Sequence, residues 1–423
     1  MPLSIKSTRK ITAATLLAAA GLLALPIASA QSDEVFNYFD TIGIGGLASF
    51  DIGWVDPALH SYFLADRSNK SVDVIDTVTK QTTQFMPGFA GIFVTPSGAT
   101  NNDLSGPDGI LTFNNPASGT SEIWVGDGPQ VNGVNGTAGC PSFLTLGCST
   151  VKVLDASTGA LTHNIPTYGA ARADELCHDP QHRLILIAND AESLDFAFGT
   201  PFVSFISTDT YTIVKQILIS EATNGIEQCQ YDNITGNFYL NIPVVNGPGD
   251  DTKDGAVYVI SPTTFKVTAK YPIDVMTCAG PAGMALGPGN QILLGCAAKA
   301  ADGVANSIII DRTNGSTNAV AWGLGGADEV WFNPTDSHYY LALSYSGVSP
   351  APTPEIAIID ALTGPVDQII TMARLGGVSP HSIAVDPATG IIYSPNAGGV
   401  NLFYPSVVPP GDADDGSTPA QPE

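Results

Sequence analysis

Basic residues are scarce. The 423-residue chain carries 16 Lys and Arg against 40 Asp and Glu, a formal net charge of −24. Phosphate neutralisation needs a basic face, so this charge argues against nucleic acid as a partner and against anionic lipid surfaces. No Cys-x-x-Cys occurs among the six cysteines, so neither a thiolate zinc site nor a redox pair is expected. There is no G-x-S-x-G and hence no nucleophile elbow. Gly43–Gly46 and Gly323–Gly326 lack the strand-to-helix context of a phosphate cradle. Beyond the first thirty residues no apolar run reaches transmembrane length, so no membrane insertion is expected. Helical periodicity is nearly absent throughout.

The first thirty residues are of another kind. Lys6, Arg9 and Lys10 precede an apolar stretch from Ile11 to Leu25, and Ala28-Ser29-Ala30 fits a small-residue cleavage site. Residues 1–30 therefore read as a signal peptide, with a mature chain from Gln31 that is secreted or periplasmic. In such a compartment cysteines tend to pair. Cys140 and Cys148 bracket a short Pro- and Gly-containing loop and are expected to be bonded. Cys278 and Cys296 flank one hairpin. Cys177 and Cys229 stand at nearly equivalent points of consecutive repeats, as partners or as two buried thiols.

The rest repeats one sentence: a short apolar run, a turn rich in Asp, Asn, Pro and Gly, then a β-rich run. Ser382 to Val385, the turn Asp386-Pro-Ala-Thr-Gly390 and Ile391-Ile-Tyr393 form the clearest copy. Others begin at Asp51, Asp174, Glu227 and Asp328. The units are expected at Asp51–Phe85, from Phe89 to Asp155, Ala171–Ile219, Ile226–Tyr271, Pro281–Trp322, Asp328–Ile370 and from Pro380 to Tyr404. Seven units of about four strands predict an all-β, seven-bladed β-propeller over residues 31–405. The last unit is one strand short. Glu34–Ile42 is expected to supply its outer strand and so protect the edge. Residues 406–423, nearly devoid of apolar side chains, read as a disordered tail.

Pro380-His381-Ser382-Ile383-Ala384-Val385, the DPxTG turn, Ile392-Tyr393 and Ser71-Val-Asp-Val-Ile-Asp76 resemble the YVTN-type repeat β-propeller family. The resemblance covers most of the mature chain and is sharp in the first and last repeats. It implies the propeller fold and an extracytoplasmic location. It implies little about chemistry, because propellers host binding modules, scaffolds and enzymes alike.

Aligning the repeats on their turn residues (Asp56, Thr95, Asp179, Asp232, Gly287, Asn333, Asp386) gives one informative column. Five positions earlier stand Asp51, Ala90, Asp174, Glu227, Ala282, Asp328 and His381. In a propeller this is the start of each innermost strand, beside one mouth of the central channel. Five ionisable residues of seven stand out in a chain that is 13% charged. Converging carboxylates raise one another's pKa values, and a hard cation relieves that. Asp51, Asp174, Glu227, Asp328 and His381 are therefore the candidate metal ligands, for calcium first. The imidazole also admits zinc or manganese.

Asp66, Asn189 or Asp190, Asn241 and Asn396, at the ends of second strands, are further candidate ligand-binding residues. Arg172 is placed to neutralise part of the ring. Glu175 and Glu329 face the mouth or pack between blades, and strict alternation along a strand would turn Glu329 away from Asp328. A water-filled channel hydrated by the same side chains is the competing account of the ring.

Three functions fit. The first is an exported, monomeric propeller holding a divalent cation or a small polar or cationic ligand at the mouth. The second is a metal-dependent hydrolase of lactones or esters, with His381 or Glu227 as the catalytic base. The third is a protein-interaction scaffold using the long loops.

Overall fold

In a computed structural model, residues 34–129, 147–191, 199–248, 252–298, 305–346, 353–363, 366–371 and 380–407 are described. They form seven four-stranded antiparallel sheets whose inner strands contact one another in a closed ring, a seven-bladed β-propeller. Glu34–Ser406 is one compact unit. Among the described residues there is no helix long and apolar enough to cross a membrane. The expected signal peptide lies outside the described residues, and so does the expected tail except for Ser406 and Val407, which end a strand instead.

From the channel outward, blade one comprises Gly53–Asp56, Ser61–Asp66, Ser71–Asp76 and Gln81–Pro87. Blade three comprises Ala173–Asp179, Leu184–Asn189, Phe202–Ser207 and Thr212–Leu218. The inner strands of blades four, five and six are Cys229–Asp232, Ala279–Leu286 and Leu324–Asn333. Blade seven is built from both ends of the propeller: Ala384–Val385, Ile392–Asn396 and Gly399–Val407, with Glu34–Gly43 as the outermost strand. The expected closure is therefore present.

Burial follows from this stacking. A second strand packs against neighbours on both faces, so Leu184–Asn189 is buried along its whole length. An outer strand meets solvent, so Lys266–Ile273 alternates exposed and half-buried residues up to its buried end at Ile273. Between the first and last blades Tyr62 stacks on Tyr393, ring centroids 5.0 Å apart.

The recurring turn has a local cause. Asp386 Oδ1 accepts the Ala388 N–H at 3.0 Å, Gly390 sits at φ 70°, and its N–H donates to the Asp386 carbonyl at 2.7 Å. A short acceptor side chain starts the turn and glycine ends it without a Cβ penalty. Asn115-Pro-Ala-Ser-Gly119 repeats this, with Asn115 Oδ1 accepting from Ala117 N at 2.9 Å and Gly119 at φ 72°.

That second turn corrects the expected second unit. Blade two comprises Ile110–Asn115, Thr120–Asp127, Thr150–Asp155 and Leu161–Pro166. Gly91–Val94, expected to be its inner strand, pairs instead with Thr100–Gly106 in an extra two-stranded hairpin between blades one and two. Val94 is exposed, which an inner strand flanked on both sides cannot tolerate, whereas Ile110 and Leu111 are buried.

Two disulfides are present among the described residues. Cys177–Cys229 joins the inner strands of blades three and four, which settles the open choice for these two cysteines, and Cys278–Cys296 closes the first hairpin of blade five. The expected Cys140–Cys148 pairing falls on Cys140, outside the described residues.

Candidate functional site

The acidic column is placed by a backbone irregularity repeated around the channel. In blade three Ala173 pairs with Asn189, but Leu176 pairs with Ile187, so Asp174 and Glu175 together oppose one residue. Blades five and six carry the same one-residue bulge at Ala282-Gly283 and Asp328-Glu329. In blade one Asp51 N donates to Ala65 O at 2.9 Å while Ala65 N donates to Ile52 O at 3.0 Å. Glu227 and Gln228 share Asn241 in the same way in blade four. A bulge breaks the alternation of a strand and re-aims its side chains. Both Asp328 and Glu329 consequently line the mouth, as do Asp174 and Glu175. The expectation that alternation turns Glu329 away is thus corrected.

Blade two has the bulge as well. Asp108 N donates to Gly126 O at 3.0 Å, and Gly126 N donates to Gly109 O at 2.9 Å. Asp108 is therefore the ring member that Ala90 was expected to be. It escaped the alignment because it lies seven residues before its turn residue, Asn115, where Asp51 lies five before Asp56. The Asn115-Pro-Ala-Ser-Gly119 turn was the signal that could have found it. Glycine is needed beside it: a Cβ on Gly109 would come within 2.2 Å of the Asp174 carbonyl oxygen, and one on Gly126 within 2.1 Å of that of Ala173. The ring is then Asp51, Asp108, Asp174, Glu227, Ala282, Asp328 and His381.

Its members are linked. Arg67, on the loop after the second strand of blade one, reaches Asp51 Oδ2 from Nη2 at 2.7 Å and Asp108 Oδ1 from both Nη2 (2.5 Å) and Nε (3.0 Å). Arg172 donates from Nε to Asp174 Oδ2 at 2.8 Å and lies 3.2 Å from Asp190 Oδ2. His381 spans Asp51 Oδ1 at 2.7 Å from Nε2 and Asp328 Oδ2 at 3.1 Å from Nδ1. Beneath the ring, Glu175 and Glu329 hydrogen-bond each other across the channel, from blades three and six. Gln228 Nε2 donates to Glu329 Oε2 at 3.0 Å, and Gln228 Oε1 accepts the Met284 N–H.

These environments push the groups apart. Burial alone would raise Asp51, but Arg67 and His381 outweigh it and hold the carboxyl far below the usual range. Burial drives Asp108 well above it, Arg67 opposing while Asp51 and Asp174 add to the rise. Glu175 and Glu329 are raised first by burial and then by neighbouring carboxylates, Asp174 for the one and Glu175 itself for the other. Burial opposes the imidazolium of His381, yet Asp328 and Asp51 leave its pKa raised.

Asp51, Asp108 and Asp174 come closest together, with one oxygen of each within 4.8 Å of the others. They are 4%, 0% and 2% exposed. Arg67 takes one oxygen of Asp108, and the other, Oδ2, is buried without a hydrogen-bond partner. Four carboxylates, Asp190 included, thus share two guanidiniums, and the triad has the geometry to hold a metal ion. Glu227, Asp328 and His381 stand around the same mouth and also line an adjoining cavity of about 280 Å³ with Asn224 and Ser344.

Of the strand-end candidates, Asp190 reaches the ring through Arg172, and the others lie elsewhere. Asp66 accepts from Asn69 N at 2.8 Å and caps its own turn. Asn189 donates to Thr167 Oγ1 at 2.8 Å and Ser149 Oγ at 3.2 Å, tying blade three to blade two. Asn241 donates to the Ala282 and Gly283 carbonyls at 2.6 and 3.0 Å, tying blade four to blade five. Asn396 is buried at the turn of the last blade, paired with Gly399. Second-strand ends face the adjacent blade, so these side chains satisfy backbone and hydroxyl partners there.

Fold and site together define a seven-bladed β-propeller with a buried acidic cluster at one mouth of its channel. Comparison with protein-family models and with curated proteins finds no match for the chain.

Proposed function

We propose that this is an exported propeller of the YVTN-repeat type that binds a hard divalent cation, calcium first, at Asp51, Asp108 and Asp174. The observation that carries the reading is the approach of three buried carboxylates within 4.8 Å, one of them holding a buried oxygen with no partner. Carboxylate oxygens are the ligands calcium prefers. A cation would offset the charge that two guanidiniums leave over, and would remove the orphaned acceptor, whose burial costs on the order of 1–3 kcal/mol. Export is supported by the signal-like segment and by the two disulfides, which suit an oxidising compartment. Elemental analysis of protein purified without chelator, with melting curves before and after EDTA, tests the reading. A stoichiometric divalent ion and a lower melting temperature after EDTA are expected. Protein free of metal whose melting is indifferent to calcium would return the ring to a hydrated channel.

A second reading is hydrolysis of a small ester or lactone beside the cation. The cavity against Glu227, Asp328 and His381 favours it, because a substrate carbonyl there would lie next to the ion and to a base. Calcium-dependent turnover of a lactone or aryl ester that is lost in His381→Ala is the expected sign; turnover independent of metal, or unchanged in that variant, would oppose it. Zinc or manganese in the elemental analysis would shift the site toward His381.

A further inference from the structure

The channel does not end at the acidic ring. Below the Glu175–Glu329 pair lies a separate cavity of about 180 Å³, walled by Ile52, Trp54, Met284, Trp331 and Ile383. Trp54 and Trp331, from blades one and six, meet edge to face with ring centroids 5.3 Å apart. An apolar cavity of about 150 Å³ is enough to hold benzene. Gln228 and Gln230 add polar groups to the lining, Gln228 Nε2 donating to Glu329 Oε2 and Gln230 Nε2 to the Met284 carbonyl. Glu175 and Glu329 both line the space, and neither has an ion-pair partner among the described residues. The arginines of the ring are engaged with Asp51, Asp108, Asp174 and Asp190 instead.

We propose that this cavity binds a small organic amine, with a single flat or alicyclic apolar body against Trp54 and Trp331 and its ammonium against Glu175 and Glu329. The two acidic side chains meet at the wall of this cavity, and no lysine or arginine is among its described lining residues. An ammonium brings donors for their oxygens and a charge of the opposite sign. The tryptophan faces suit either an aromatic body or the cation itself. A neutral ligand of the same shape would fill the apolar part and leave the acid pair as it was. An anion would meet two carboxyls and no counter-charge. The site shares Glu175 and Glu329 with the mouth but uses none of the triad's carboxylates.

The test is a titration of the full mature protein with benzylamine, and with benzyl alcohol and toluene as comparators, followed by tryptophan emission and by calorimetry. One benzylamine per chain is expected, bound at least tenfold more tightly than benzyl alcohol, with a change in tryptophan emission. Glu329→Gln should remove that tenfold preference and leave benzyl alcohol binding unchanged. Ala285→Leu, which fills the cavity without touching the acids, should weaken both ligands and provides a second variant should Glu329→Gln not fold. Equal affinities for amine and alcohol, or a preference that survives Glu329→Gln, would overturn the proposal, as would benzylamine binding unaffected by Ala285→Leu. Calcium binding by the same samples separates failure here from failure of the cation reading.

Discussion

His381 Nε2 and Asp51 Oδ1 lie 2.7 Å apart, joining the last blade to the first across 330 residues of sequence. The imidazole pKa is raised by its carboxylate neighbours and that of Asp51 is lowered. The two groups therefore contribute in different windows. A raised histidine stabilises fully below its unfolded value, near 6.5, and the contribution is lost as pH rises through the folded value. A lowered aspartate contributes above its ordinary value and loses that only in strong acid. The pair is strongest between roughly pH 4 and 6.5. In metal-free protein the melting-temperature gap between wild type and His381→Ala should be widest near pH 6 and shrink toward pH 9. A gap that does not change with pH would show that the contact carries no charge coupling.

Asp73 offers a second pH effect away from the mouth. It is fully buried in blade one, and burial and then the charge of Asp66 push its carboxyl up to about 8. A raised carboxyl favours the folded state while protonated. Its contribution falls as pH rises from the unfolded value near 4 to about 8. Asp73→Asn should therefore stabilise the protein at pH 8 by roughly 1–3 kcal/mol and do little at pH 4. Urea denaturation at both pH values measures this; equal effects at the two would contradict it.

The disulfides should differ in weight. Cys177–Cys229 closes a separation of 52 residues and crosses between blades, while Cys278–Cys296 closes 18 within one hairpin. Loop-closure entropy gives about 4 kcal/mol for the longer and about 3 kcal/mol for the shorter as upper values. Replacing Cys177 and Cys229 by Ala should lower the denaturation midpoint more than replacing Cys278 and Cys296. The reverse order would show that strain or residual structure, not loop length, governs them.

Closure of the ring rests on Glu34–Gly43, the outermost strand of the last blade. Deleting residues 34–43 leaves the edge of Gly399–Val407 unpaired and uncovers buried Phe403, whose neighbour Phe36 is lost with the strand. The deletion should lower the melting temperature by ten degrees or more and promote self-association. A monomer melting like the full-length chain would show that the other three strands of that blade suffice.

The architecture was legible because each blade is written locally. Asp386 and Gly390 make a turn by contacts within five residues, so the sentence that encodes it can be read without the fold. The ring was partly legible for the same reason: Asp51, Asp174, Glu227, Asp328 and His381 sit at a fixed distance from such turns. Asp108 was not, since two added residues in its hairpin shift it out of register. Arg67 was invisible, as nothing in its neighbourhood marks a loop cation that reaches a carboxylate 41 positions away. The bulge that brings Glu175 and Glu329 into the channel cannot be read from alternation, which it interrupts. Asn241 misled because oxygen-bearing residues at strand ends look like ligands until the adjacent blade is in place.

The central claim is that Asp51, Asp108 and Asp174 hold a divalent cation, and Asp108 tests it most directly. Asparagine at that position keeps an oxygen for Arg67 and removes the charge. Calorimetric titration of chelator-treated protein with calcium, wild type beside Asp108→Asn, is the measurement. One calcium per wild-type chain is expected, with affinity reduced at least tenfold in Asp108→Asn. The variant's metal-free melting temperature should be equal or higher, because burial makes the Asp108 carboxyl costly to ionise and asparagine removes that cost. Calcium binding of equal strength in both proteins, or in neither, would contradict the account.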